Sequence, residues 1–159
     1  MSKTILSAAA CLAGFMLGVS PALADNTVNT GYFGGVAILG YDPVAYFTDS
    51  AAVKGSEQFS YDWLGTPWHF ASKMNLESFK SDPAKYAPQF GGYCAGEVTF
   101  EGITINIDPE AWRIIDGKLY LGYDKTFIAD LEAHPQNWLP KAELNWPKLE
   151  AKLEKGKYY

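Results

Sequence analysis

The sequence predicts a small α+β domain in which antiparallel β-hairpins are flanked by short helices. Three observations carry that expectation. The stretch "WRIIDGKLYLGY", residues 112–123, sets Asp116-Gly117 between two β-rich arms, the strongest hairpin signal in the chain. In "FSYDWLGTPWHF", residues 59–70, Phe59, Tyr61 and Trp63 alternate with polar residues ahead of a Gly65-Thr66 turn. Between these hairpins, "NLESFKSDPAKYAP" offers Asn75 as a helix cap, then Asp82-Pro83 as the cap and first position of another helix.

Taken in order, the chain opens with Lys3, an apolar run from Ile5 to Val19, Pro21 and the small-x-small triplet Ala22-Leu23-Ala24. This is the pattern of a secretory signal peptide over residues 1–24, cleaved after Ala24 so that the mature chain begins at Asp25. The run is too short and too poorly flanked for a stable bilayer span. A soluble periplasmic or secreted product is expected, with residues 25–159 forming one domain. A polar lead-in occupies residues 25–35, and a dense apolar stretch, residues 36–47, is broken at Asp42-Pro43. After the first hairpin and the two short helices, apolar alternation over residues 98–107 around Glu101-Gly102 predicts another hairpin ahead of the Asp-Gly one. Phe127, Ile128 and Leu131 share one face of a helix over residues 124–134 that stops at Pro135. A last helix is expected over residues 147–155, with Asn145 near its start and Gly156 at its end. Internal repeats and low-complexity tracts are absent from the sequence.

The chain has 13 basic and 18 acidic residues, a formal net charge of −5, and loss of Lys3 with the leader makes the mature chain one unit more acidic. That balance argues against nucleic acid and anionic membrane surfaces as partners. Of the two cysteines, Cys11 lies in the leader, so Cys94 enters an oxidising compartment with no partner for an intramolecular disulfide. The sequence holds no GxSxG elbow, HExxH, P-loop or dinucleotide fingerprint, and no Cys-x-x-Cys pair.

Two stretches, "GYDPVAYF" and "WHFASKMNLESFKSDPAKYAPQFGGYCA", resemble the YHS-domain proteins, and in particular their secreted bacterial branch. The resemblance spans roughly residues 40–95 and runs through Phe70, Ser72, Phe79, Pro83, Lys85 and Tyr86. It implies a YHS-like fold and an association with metal binding through two cysteines in a Phe-Cys-Ser-x-x-Cys pattern. Those two positions are Ala71 and Asn75 here, and neither supplies a soft-metal ligand.

The remaining soft or borderline ligands for copper or zinc are Cys94, His69, His134 and Met74, with Cys94 and His69 the leading candidates and Met74 a weak one. Strand alternation sets His69 on the opposite face from Trp68 and Phe70, and Gly91-Gly92 allows close backbone approach beside Cys94. A working thiol of this kind would be partly shielded, with its pKa lowered by a neighbour such as His69. The leading expectation is a small exported binding protein handling a transition-metal ion or small ligand near Cys94. A thiol enzyme with Cys94 as nucleophile and His69 as base is the alternative, and a structural or partner-binding module a third. Against these stand simpler roles: Cys94 as a buried apolar group, Met74 as a core filler and His134 as a helix C-terminal residue. Trp63, Trp68, Trp112, Trp138 and Trp146 could line a pocket for an apolar or sugar-like ligand, although a core of large rings accounts for them. Asp42, Asp82 and Asp108 each precede proline and read as turn and cap residues.

Overall fold

The computed structural model describes residues 27–103 and 105–155; the predicted leader, its cleavage point and the stop at Gly156 lie outside them. The chain folds as a small α+β protein with two antiparallel two-stranded sheets. The first pairs β1 (Ser56–Trp63) with β2 (Thr66–Phe70), and the second pairs β3 (Asp108–Ile115) with β4 (Lys118–Gly122). Both hairpins close through two residues of positive φ, Leu64-Gly65 and Asp116-Gly117, flanked by the pairs Trp63↔Thr66 and Ile115↔Lys118. Two left-handed residues match the twist of the adjoining strands, which is why Asp-Gly was so direct a signal. The alternation expected around His69 holds: Trp68 and Phe70 are buried and His69 is half-buried.

Among the described residues, six α-helices accompany the sheets: α1 (Ala45–Thr48), α2 (Lys73–Ser81), α3 (Pro83–Tyr86), α4 (Ala95–Thr99), α5 (Lys125–Ala133) and α6 (Pro135–Glu154). Asp82 caps α3 by accepting from the Lys85 N–H, as its place before proline suggested. The cap of α2 is Ser72 rather than Asn75: the Ser72 hydroxyl accepts from the Asn75 N–H at 3.1 Å, and Asn75 sits inside the first turn. Met74, beside it, is 73% exposed, so it fills no core.

The hairpin expected over residues 98–107 does not form. Residues 95–99 are α4, and Glu101-Gly102 is its C-terminal stop: Gly102 N–H donates to Glu97 O at 2.9 Å and Glu101 N–H to Val98 O at 3.2 Å. With Glu101 left-handed at φ 61°, this is the paired-bond ending by which helices satisfy their last carbonyls. A Glu-Gly pair serves either turn equally well, and the long-range partner decides. Asn145, expected at a helix start, lies within α6 and donates Nδ2–H to Val98 O and Thr99 O, both at 3.1 Å, tying α4 to α6.

The last helix begins at Pro135 and not near Pro147, and it holds Pro140 and Pro147 within it. Both prolines are exposed, so the carbonyls they leave without an N–H partner face water. The opposite face buries Ala142, Asn145, Leu149 and Leu153, at helical spacing, and this burial outweighs the proline penalty.

Strand β4 stands between two hydrophobic clusters. Leu119 and Leu121 point into one, with Val28, Ile38, Tyr46, Trp68, Phe70 and Phe79; Tyr120 points into the other, with Phe90, Cys94, Phe127, Ile128, Leu131 and Leu153. Alternation along one strand thus feeds two cores, which is why β4 reads as a continuous apolar run.

Candidate functional site

The expected lead-in loop is an integral strap. Thr27, Val28 and Asn29 are buried, and Asn29 is fully so. Its backbone N–H donates to Gly91 O at 2.8 Å, its Nδ2–H to Gly92 O at 3.0 Å, and its own carbonyl accepts from the Ile38 N–H at 2.8 Å. The turn it meets, Gln89–Gly92, runs through left-handed Phe90, Gly91 and Gly92. A Cβ on Gly91 would overlap the Thr27 carbonyl, standing 2.9 Å from its carbon, and one on Gly92 would press Ile38 Cγ2 at 2.5 Å. Gly91 and Gly92 of "FGGYCAG" therefore serve the close approach of Thr27 and Ile38.

Cys94 itself is fully buried, immediately before α4, within the cluster of Phe90, Tyr93, Val98 and Tyr120. Burial pushes its thiol upward, and the opposing hydrogen bonds from the Glu97, Gly96 and Tyr123 backbone are outweighed; the Glu97 carboxylate adds to the rise. The expectation of a partly shielded thiol with a lowered pKa is thus overturned, because desolvation penalises thiolate more than short-range donors favour it. His69 faces elsewhere. It stands opposite Ser60 on β1, and a Cβ at Gly40 would lie 3.7 Å from its Nδ1 and 3.6 Å from Lys54 Nζ. Met74 is exposed on α2. His134 ends α5 and pairs through Nδ1 with Asp130 at 3.0 Å. Among the described residues, no group of three or more His, Cys, Asp and Glu side chains is assembled to hold a metal ion.

Asp42 is more than a turn residue. Fully buried, it accepts through Oδ1 from the Val44 and Ala45 N–H groups at 2.8 and 3.3 Å. Its Oδ2 accepts from the Ala71 N–H at 2.8 Å and from Asn75 Nδ2 at 2.7 Å. The two positions where the family resemblance places metal-binding cysteines therefore both donate to one carboxylate oxygen. Alanine offers no ligand atom, and the asparagine amide is turned to Asp42, so the residues present do not fit a thiolate metal site.

What the fold does assemble is a cleft of about 210 Å³ where the strap, the first hairpin, the Gln89–Gly92 turn and α6 meet. Its aromatic lining is Trp63, Trp68, Phe90 and Trp146, with Leu64 and Glu150 among the remaining residues. The rings come in two pairs, Trp63 edge-on to Trp68 at 5.6 Å and Phe90 tilted against Trp146 at 5.8 Å between centroids. Trp68 is fixed by donating Nε1–H to Trp63 O at 3.1 Å. Three of the five tryptophans thus line the cleft. Trp112 packs edge-on against Tyr46, and Trp138 against Phe127. Of the three aspartates before proline, Asp108 makes the simple turn expected, accepting from Glu110 N–H at 2.9 Å.

Fold and site together define a small α+β protein with an aromatic cleft and a buried carboxylate knot. Residues 44–90 match the model of the YHS domain, which supports the YHS family for this segment. The match takes in α1 to α3 and both strands of the first hairpin, and it stops short of Cys94, β3, β4 and α6. The comparison with curated proteins and the comparison with solved structures gave no match. No helix among the described residues is long and apolar enough to cross a membrane.

Proposed function

We propose that this is an exported binding protein, of the secreted bacterial YHS branch, that takes a small organic ligand in the cleft between Trp63 and Trp146 and performs no covalent chemistry with Cys94. The observation that carries the reading is the cleft itself: four aromatic rings from the first hairpin, the Gln89–Gly92 turn and α6 converge on it. Ligand sites are concave and mostly apolar, with a few polar groups to set orientation, and Thr27, Gln89 and Glu150 supply those here. The strain of left-handed Phe90 in the wall belongs to the same picture, since backbone held in sparsely populated regions gathers at ligand clamps. Export rests on the Lys3-to-Ala24 pattern. The copper or zinc reading loses its support at both candidate positions: a buried, upshifted thiol at Cys94, and Ala71 with Asn75 where the family pattern has cysteines.

The test is a fragment screen by two-dimensional NMR on the exported protein, read at the indole Nε1–H signals, with zinc and copper(I) titrations alongside. Fragments should move the Trp63 and Trp146 signals in a saturable manner. If no fragment does so, while a metal titrates stoichiometrically and moves His69 or the residues around Cys94, the proposal is wrong and the metal reading is right.

A further inference from the structure

We infer that a second site, separate from the cleft, binds a small monocarboxylate. It is a pocket of about 130 Å³ where the end of α4 meets α5 and α6, and it shares no lining residue with the cleft. Its floor is built in advance. Trp138 donates Nε1–H to Asp130 Oδ2 at 2.8 Å and packs edge-on against Phe127, with ring centroids 5.1 Å apart. The Thr99 hydroxyl lies 3.0 Å from Ala95 O and 3.3 Å from Trp138 O, which ties the end of α4 to the same turn of α6. Phe100 forms a wall. It stands edge-on to Trp138 at 5.9 Å between centroids and is 72% exposed, placed there as its N–H donates to Glu97 O at 2.9 Å and closes α4.

The polar groups of this pocket select its ligand. Asn137 and Lys141, one turn apart on α6, both line it. Among the described residues, neither the Lys141 ammonium nor the Asn137 side-chain amide has a hydrogen-bond or ion-pair partner. A ligand carboxylate satisfies both, accepting a charge-assisted bond from the ammonium and a second bond from the amide. Asp130, the other charged group in the lining, is already engaged: Oδ1 meets His134 Nδ1 at 3.0 Å and Oδ2 holds Trp138. It is poorly placed to take a ligand ammonium, and its charge turns the ligand's carboxylate away from α5 and toward Lys141. A phosphate dianion would face one ammonium beside a carboxylate, a poorer match than a single negative charge. The apolar remainder of the ligand lies against the rings of Phe100 and Trp138. Size sets its limit: about 130 Å³ is a little under the roughly 150 Å³ that holds one benzene, so the body is no larger than a branched chain of about four carbons.

The experiment titrates isovalerate and its uncharged isostere, isovaleramide, into the exported protein, read at the Trp138 indole signal and the backbone amides by two-dimensional NMR, in wild type, Lys141→Gln and Phe100→Ala. Isovalerate should bind about 2- to 5-fold more tightly than the amide, the worth of one exposed ion pair. Lys141→Gln should erase that preference and leave the affinity for the amide unchanged, whereas Phe100→Ala should weaken both probes alike. Valine should bind no better than isovalerate; tighter binding of valine would show Asp130 receiving an ammonium and would overturn the monocarboxylate assignment. Equal affinities of acid and amide in wild type, or a preference that survives in Lys141→Gln, would refute it as well. Saturable shifts confined to Trp63 and Trp146 would place the acid in the cleft and remove the second site, and so would the absence of any saturable shift at Trp138.

Discussion

Substitution of Gly91 by alanine tests the link between strap and cleft, with Gly117→Ala as a matched control. Both glycines are left-handed, at φ 59° and 75°, so each alanine carries the same intrinsic strain of about 1–2 kcal/mol. Their surroundings differ. A Cβ at Gly117 meets nothing within 4 Å, whereas at Gly91 it overlaps the backbone of Thr27. Backbone cannot rotate aside as a side chain can, so the strap has to leave. With it go the hydrogen bonds from Asn29 N–H to Gly91 O, from Asn29 Nδ2–H to Gly92 O and from Ile38 N–H to Asn29 O. At about 0.5–1.5 kcal/mol each these amount to roughly 1.5–4.5 kcal/mol. Exposing Val28, now 3% accessible, adds about 1.5–3 kcal/mol. The expected loss for Gly91→Ala is therefore about 4 kcal/mol or more, against about 1–2 kcal/mol for Gly117→Ala. Urea unfolding followed by tryptophan fluorescence measures both, and amide exchange at Asn29 and Ile38 should accelerate in the Gly91 variant alone. Equal losses in the two variants, with Asn29 still protected, would show that the strap does not dock against the glycine turn and that the cleft lacks its Thr27–Val28 wall.

Asp42→Ala should destabilise by about 3–5 kcal/mol in the same assay, because it strands the Ala71 N–H and the Asn75 amide in the interior; a loss under about 1 kcal/mol would show that water reaches them. Alkaline stability has a definite sign. Burial raises the Cys94 thiol and the Tyr46 phenol, and raises the Tyr120 phenol to about 12, so the unfolded chain ionises first. Stability should be complete below about pH 9 and decline as pH rises from 9 toward 12, while Cys94→Ala should move the onset toward 10, where the phenols begin. An onset unmoved by that substitution would mean that the thiol does not titrate between the two states. Equilibrium dialysis should find no stoichiometric zinc or copper(I) retained, with His69→Ala and Cys94→Ala indistinguishable from wild type; a one-to-one metal lost in either variant would restore the thiolate reading. Intact mass of exported protein should correspond to a chain beginning at Asp25, and retention of Met1 would remove the leader assignment.

Features that two to five neighbouring residues decide are legible from the chain alone. Leu64-Gly65 and Asp116-Gly117 close their hairpins, although the first turn lies one residue earlier than expected, and Asp82-Pro83 starts α3, because left-handed or fixed φ values are local properties. The alternation that buries Trp68 and Phe70 was legible for the same reason. Where two local solutions were equally good, tertiary contact chose. Glu101-Gly102 ends a helix because Asn145 reaches its carbonyls from 46 and 47 residues away, and α6 tolerates two prolines because its other face is buried. The carboxylate knot joins Asp42 to Ala71 and Asn75, 29 and 33 positions on, and no spacing rule connects them. A lone thiol such as Cys94 reads as functional from sequence; its burial depends on rings from β4, α5 and the Gln89–Gly92 turn, so only packing shows that its ionised form is disfavoured. The cleft is the extreme case. Its rings lie at positions 63, 68, 90 and 146, each with an adequate local reason to be aromatic, and a site arises only because folding brings those separate reasons to one place.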